Sequence, residues 1–417
     1  MRFLQTTFFI CLFAVSQFSF SAACDASGTS TSEGNGNCTV TDATTGTIIQ
    51  LNFNAGFDSS TSVSVIDGNN STTLGGQRKS SFIKASEIIA AKIDTAVTLI
   101  VDASFSSALD CEETSATLGS AGATANLSVS SPAPSGIIAD TNYPIGLYNA
   151  ITGSDISGAH TDVTAEFNAD IGDSDCLSSS GWYYGFSTPG ANEIGFTTVL
   201  LHEVTHGLGF ASLVNPSNGT KSGGLDDIFS NFLYDNVTGD NWNDAGQTDE
   251  EREDSIISID NLLWSGTNVN TQAIGLLTDG FNDGDSDGEF ESGDQVEMYA
   301  PCTTVANNGM LQDAGNPCGY ESGSSISHFS TDATPNELME PSYTESQYTL
   351  SLAMYLLKDI GWTIANIAPS WTTIPTQNHT VGDTASINLN SYATDSDGDS
   401  MSYTGCESTS ICSISSN

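Results

Sequence analysis

Basic side chains are scarce in this chain: Lys and Arg number eight in 417 residues, against 51 Asp and Glu, for a formal charge of −43. Nucleic acids and anionic membrane surfaces are held through clustered cations, and with none to cluster neither is an expected partner. Long apolar runs are missing as well. Beyond residue 23 no stretch approaches the roughly 20 apolar residues that span a bilayer, so no transmembrane anchor is expected. Histidine occurs only five times, which makes a regularly spaced pair conspicuous.

The first residues do carry a pattern, that of a signal peptide over 1–23. It consists of Arg2, an apolar stretch from Phe8 to Phe18, and Ser21, Ala22 and Ala23 before the expected cut. A secreted, extracellular protein is the expectation. Cys24 follows the cut, but Ser21 stands where a lipid-attachment signal carries an aliphatic residue, so lipidation is disfavoured. Of nine Cys, Cys11 leaves with the signal, and the even remainder favours disulfides. Proximity along the chain suggests Cys24 with Cys38, Cys111 with Cys176, Cys302 with Cys318, and Cys406 with Cys412.

Two of the five His lie in GFTTVLLHEVTHGLGF, from Gly195 to Phe210. On a helix the step from His202 to His206 is a little more than one turn, so both imidazoles leave one face and can share a metal ion. Glu203 projects beside them, placed to take a proton from a zinc-bound water and pass it to a leaving amine, the general-base role this motif carries in metallopeptidases. Phe196, Val199, Leu200 and Leu201 give the helix an apolar body, and Gly207 and Gly209 end it. Catalytic zinc takes three protein ligands, so one more is needed. The compact pattern His-Glu-x-x-His-x-x-Gly-x-x-His does not provide it, because its last position is Ser212. His160 lies upstream before a strand and His379 beyond a domain boundary, which leaves His328. The carboxylates of Glu250, Glu251 and Glu253 are the alternatives from the intervening segment.

His328 stands in GSSISHFSTDATPNELMEPSY. A His-Glu-x-x-His-x-x-Gly-Phe motif, a long insertion, an isolated His and then Glu-Leu-Met-x-Pro together resemble the leishmanolysin-type metzincins, in the form of their secreted bacterial relatives. The resemblance covers 183–212 and 323–361. It implies a zincin fold, zinc held by His202, His206 and His328, Glu203 as catalytic base, and Met339 in a turn beneath the metal. Tyr343 takes, by the same resemblance, the place of a Tyr near the zinc that stabilises the transition state.

Around these motifs the chain divides into an N-terminal arm at 24–46, a catalytic domain at 47–364 with its insertion at about 211–322, and a C-terminal segment at 365–417. TIIQLNFN from Thr47, Val97–Val101 and Thr161–Ala169 have strand patterning, and Ser81–Ile93 has helical spacing. By the same resemblance, in which the strand before the active helix runs along the substrate cleft, the free edge of the Thr161–Ala169 strand is expected to pair with an extended peptide, the alternative being an ordinary sheet edge. In the insertion, helices are expected at Leu225–Tyr234 and Glu250–Ile257, the second capped by Thr248, with Trp264 packing it down. A last helix covers Tyr348–Ile360 and ends at Gly361.

DGDSDGEFESGD fits the twelve-residue calcium-loop template, with Asp283, Asp285, Asp287, Glu289, Glu291 and Asp294 at ligand positions and Gly288 at the turn. Asp294 replaces the usual bidentate Glu, and no paired helices flank the loop. Near Asn366 the composition shifts, and the INLNSY stretch with Asp395, Asp397 and Asp399 resembles the start of a cadherin-like β-sandwich, of which the segment is long enough to form only a part. The sequence thus points to an α+β zincin with zinc and calcium, hydrolysing proteins or peptides. The competing class is a non-catalytic adhesion or binding protein on a zincin scaffold.

Overall fold

The computed structural model describes residues 22–24, 37–156, 158, 160–277, 290, 293–302, 304–305, 311–313, 316–366, 369–374 and 387–394. Residues 1–21, five calcium-template residues (Asp283, Asp285, Asp287, Glu289 and Glu291), His379, Cys406 and Cys412 and most of the C-terminal segment lie outside them. The architecture is α+β, with six helices and several sheets among the described residues. No helix there is long and apolar enough to cross a membrane.

The order begins β1 (Ala22–Ala23), β2 (Cys38–Thr41), β3 (Ile48–Phe53), α1 (Leu74–Ala90), β4 (Leu99–Ser106) and β5 (Gly119–Ala123). It continues β6 (Asn126–Leu127), β7 (Thr141–Pro144), α2 (Ile145–Thr152), β8 (Val163–Asn168), β9 (Gly181–Tyr183), β10 (Glu193–Gly195) and α3 (Phe196–Gly207). The central sheet has the order β1-β2-β3-β4-β8-β5. β3, β4 and β8 run parallel, while β2 and β5 flank them antiparallel. Alternation explains the strands: Ile49, Leu51 and Phe53 turn inward from β3, and Val163, Ala165 and Phe167 from β8. These residues meet α1 and α3 over a chain of rings in which Phe105 touches Phe57, Phe167 and Phe196.

Three expectations change. β8 is internal, held between β4 and β5, and the edge belongs to β5. Helix α1 starts at Leu74 instead of Ser81, capped by the Thr73 side chain. Its first two turns bury polar groups, including Arg78, which bonds to Gly56 O at 2.7 Å and lies 3.7 Å over the Phe105 ring, so apolar spacing does not reveal them. Leu225–Tyr234 is not a helix. Asp226–Asp227 pairs with β7 and Leu233–Asp235 with Leu262–Trp264, and the Asp227 carboxylate accepts from Leu213 N and Ser230 N.

The insertion contains α4 (Asp249–Ile257) and α5 (Thr267–Leu276). Thr248 and Glu251 form a reciprocal capping box on α4, and Trp264 is fully buried. The last helix, α6 (Leu352–Ile360), is tied to α5 by Asp359, which accepts from Asn268 N, Val269 N and Trp264 Nε1. It ends at Gly361, φ 118°, a backbone conformation that glycine tolerates. Trp362 then donates to Leu208 O at 2.8 Å, joining the exits of α6 and α3. Disulfides link Cys24 to Cys38, Cys111 to Cys176 and Cys302 to Cys318.

Candidate metal centre

Helix α3 is pinned at both ends. At its start Phe196 packs against Phe167 with ring centroids 5.0 Å apart, and Gly195 N donates to Tyr343 Oη at 2.9 Å. At its end Gly207 lies against Val163 so closely that any side chain would collide. Gly209, φ 116°, then turns the chain back between Pro144 and Ile360. That reversal brings Phe210 O within 2.7 Å of His206 Nδ1.

His202, His206 and His328 converge. Their Nε2 atoms are 3.1 Å apart for His202 and His206, and 3.2 Å from each to His328. Each Nδ1 faces a carbonyl: Leu338 O at 2.8 Å from His202, Phe210 O at 2.7 Å from His206, and Ser324 O at 2.8 Å from His328. A carbonyl can only accept, so each Nδ1 carries the proton and each Nε2 presents a lone pair. Burial pushes all three rings toward neutrality, His206 down to about 3 and His328 well below the usual range. Three lone pairs at this separation repel unless a cation sits among them. Tetrahedral ligands on bonds of about 2.0–2.1 Å stand about 3.3 Å apart, close to the observed spacing. The three-His group therefore fits a metal ion, and among the described residues it is the one such group of His, Cys, Asp or Glu. The backbone acceptors fix ring tautomer and orientation in the way outer-shell partners of a metal site do.

Glu203 is 7 % exposed and is held by the Ala121 amide of β5. Burial raises its carboxyl to about 8, opposed by that amide. The three His and Glu203 line a cavity of about 730 Å³ together with 118–121, 336–338, 340–345 and Gln347. Met339 is fully buried, one residue past the carbonyl that orients His202, and Tyr343 Oη bonds to Ser346 Oγ as well as Gly195 N. His160 is exposed and stands apart from the group. Glu250, Glu251 and Glu253 do too: they ride on α4, where the Glu251 carboxylate accepts from Thr248 N at 2.7 Å. Asp294 is half-buried and outside the centre.

Sequence reasoning missed Gly119 and Ala121, which wall in Glu203, and Ser324 O, which orients His328. The only signal was the run Leu118-Gly119-Ser120-Ala121-Gly122-Ala123, small residues that let a backbone approach another group closely. No family model matches the chain, and no curated protein or solved structure matches it.

Proposed function

We propose that this protein is a secreted zinc endopeptidase of the leishmanolysin-like metzincin type. The observation that carries the reading is the convergence of three neutral imidazole nitrogens with a buried carboxyl one residue from His202. Imidazole ligands with a position left open suit zinc in a hydrolase. When bound, the ion supplies Lewis acidity, lowering the pKa of water and polarising a carbonyl. With a cation bound among the three His, whose charge would offset the burial and ionise the neighbouring carboxyl, Glu203 would accept a proton from the attacking water and deliver it to the amine as the peptide C–N bond breaks. The Ala121 amide and the close approach of Gly119 hold its side chain in the lining of the same cavity. β5 offers the sheet edge along which an extended peptide can lie, so main-chain hydrogen bonds supply affinity for many sequences. Met339 supports the turn that positions Leu338 O, and Tyr343 lines the cavity within reach of substrate.

Export fits the three disulfides. Calcium, read from Asp283 to Asp294, enters the proposal as a structural ion of the insertion, since its template residues play no part in the proton transfers. A non-catalytic binding protein on the same scaffold has no need of Glu203, and the retention of all four residues favours the enzyme.

Two substitutions test the reading. His328→Ala should lose zinc, measured by elemental mass spectrometry, because two ligands hold the ion far less well than three. Glu203→Gln should keep zinc and lose cleavage of casein. A Glu203→Gln protein that digests casein as well as the parent would defeat the proposal.

A further inference from the structure

A chain of hydroxyl groups ending in one carboxylate joins the exit of α3 to the segment that carries His328. Asp227 is its fixed end. The strand Asp226–Asp227 pairs with β7, Ile228 N donates to Asn142 O at 3.0 Å, and Lys221 offsets the neighbouring Asp226. Asp227 is 3 % exposed, and its carboxylate takes three donors: Ser230 N at 2.8 Å on Oδ1, with Ser230 Oγ at 2.8 Å and Leu213 N at 3.0 Å on Oδ2. From there Ser230 Oγ lies 2.7 Å from Ser212 Oγ, which accepts from Val214 N at 3.0 Å. Ser212 N then donates to Ser327 Oγ at 3.1 Å.

Counting donors gives this chain one direction. An ionised carboxylate only accepts, so the Ser230 hydroxyl spends its proton on Asp227 and must accept from the Ser212 hydroxyl. Burial raises the Asp227 carboxyl, and the donors from Ser230 and Leu213 oppose the rise. Both segments that the chain joins serve imidazoles. Residues 210–214 include Phe210 O, which accepts from His206 Nδ1, and Ser327 immediately precedes His328. The Phe210 ring also packs against Phe229 at 5.4 Å and Phe329 at 5.1 Å between centroids, so the same three segments meet a second time. Ala211 and Ser327 line the cavity, whereas Ser212, Asp227 and Ser230 do not, which leaves them no contact with a substrate there.

Resting on the three-His group as a metal site, though not on the peptidase reading, we propose that Asp227 is a positioning residue for the metal. Through Leu213, Ser230 and Ser212 it fixes the separation of His206 from His328, so an ion meets two imidazoles already in register. Ligands free to spread must be gathered when the metal binds, and that ordering weakens affinity. Asp227→Asn keeps the shape of the side chain but turns one acceptor into a donor. It sets an N–H against a backbone N–H, that of Ser230 or that of Leu213, and the chain loses its anchor. Loss of outer-shell support of this kind costs about 10–100-fold in metal affinity.

The experiment measures zinc affinity of the full chain by competition with a chromogenic chelator, together with the visible spectrum of the cobalt-loaded protein, whose bands report ligand geometry. Asp227→Asn should bind zinc about tenfold or more weakly and shift the cobalt bands. Ser212→Ala cuts the chain between Ser230 and the α3 exit and should weaken zinc binding in the same direction. Ser212→Thr keeps the hydroxyl and should stay near the parent. Ser212 is half-buried, so its variants keep the test open should Asp227→Asn fail to fold. A residue that served the fold alone would lower the melting temperature and leave zinc affinity and the cobalt bands as they were. That result in both Asp227→Asn and Ser212→Ala overturns the proposal while leaving the metal site standing. A parent chain that takes up neither zinc nor cobalt removes the metal site and the proposal together.

Discussion

Gly119→Ala is the sharpest probe of how Glu203, the proposed base, is held. A Cβ at this position would lie 2.9 Å from Glu203 Cγ, 3.0 Å from Oε1 and 3.1 Å from Cδ. Carbon pairs rest at about 3.5–4.0 Å, so the carboxylate must retreat by about 0.6–1 Å. It cannot simply swing into water, because the residue is 7 % exposed and bonded to the Ala121 amide. A misplacement near 1 Å costs on the order of 10²-fold in rate, or about 2.7 kcal/mol of barrier. The backbone of Gly119 has no positive φ, so alanine fits the strand itself. Peptide hydrolysis should therefore fall about a hundredfold in kcat/KM while zinc content and melting temperature stay close to the parent's. Gly122→Ala, on the same strand with nothing within 4 Å of the added methyl, is the control. Full activity in Gly119→Ala would show that the wall of β5 does not position Glu203.

Two further outcomes follow from groups outside the cavity. Gly207→Ala drives a methyl into Val163 where α3 crosses β8, and overpacking of this kind costs about 1–3 kcal/mol, readable as a lower melting temperature of the zinc-loaded protein. Asp162 is buried with Oδ2 accepting from Ile100 N at 2.9 Å and Oδ1 without a partner among the described residues, and burial raises its carboxyl to about 6. Its folded pKa lies above the unfolded value, so the stability it contributes is present at low pH and lost as pH rises through about 6. Asp162→Asn should flatten that decline in urea unfolding between about pH 4 and 7, and an unaltered pH profile would contradict it.

The centre was largely legible in the chain because its signals are local or chemically distinctive. His202, Glu203 and His206 share one helix face, and His328 stands out in a sequence so poor in His. β3 and β8 announced themselves by alternation, and α4 by Thr248 and its acidic first turn. β5 did not, since GSAGA lacks the branched and aromatic residues that mark strands, and only its pairing with β8 makes it one. The segment at 225–234 has helical apolar spacing, yet its strands find partners in β7 and at Leu262–Trp264, a tertiary preference no local window contains. The acceptors that orient the three imidazoles are main-chain carbonyls, which any residue type provides, so composition gave no hint of them.

The sequence separation of 122 from His206 to His328 also sets an order in time. A polypeptide is made from its N-terminus, so α3 and Glu203 exist while the Ser324–Phe329 segment is still to come. During that interval the helix holds two imidazoles, and the ring that completes the group must wait until α4 and α5 have been synthesised. The three-His group can thus close only after the whole insertion has been synthesised, with α6 still to follow.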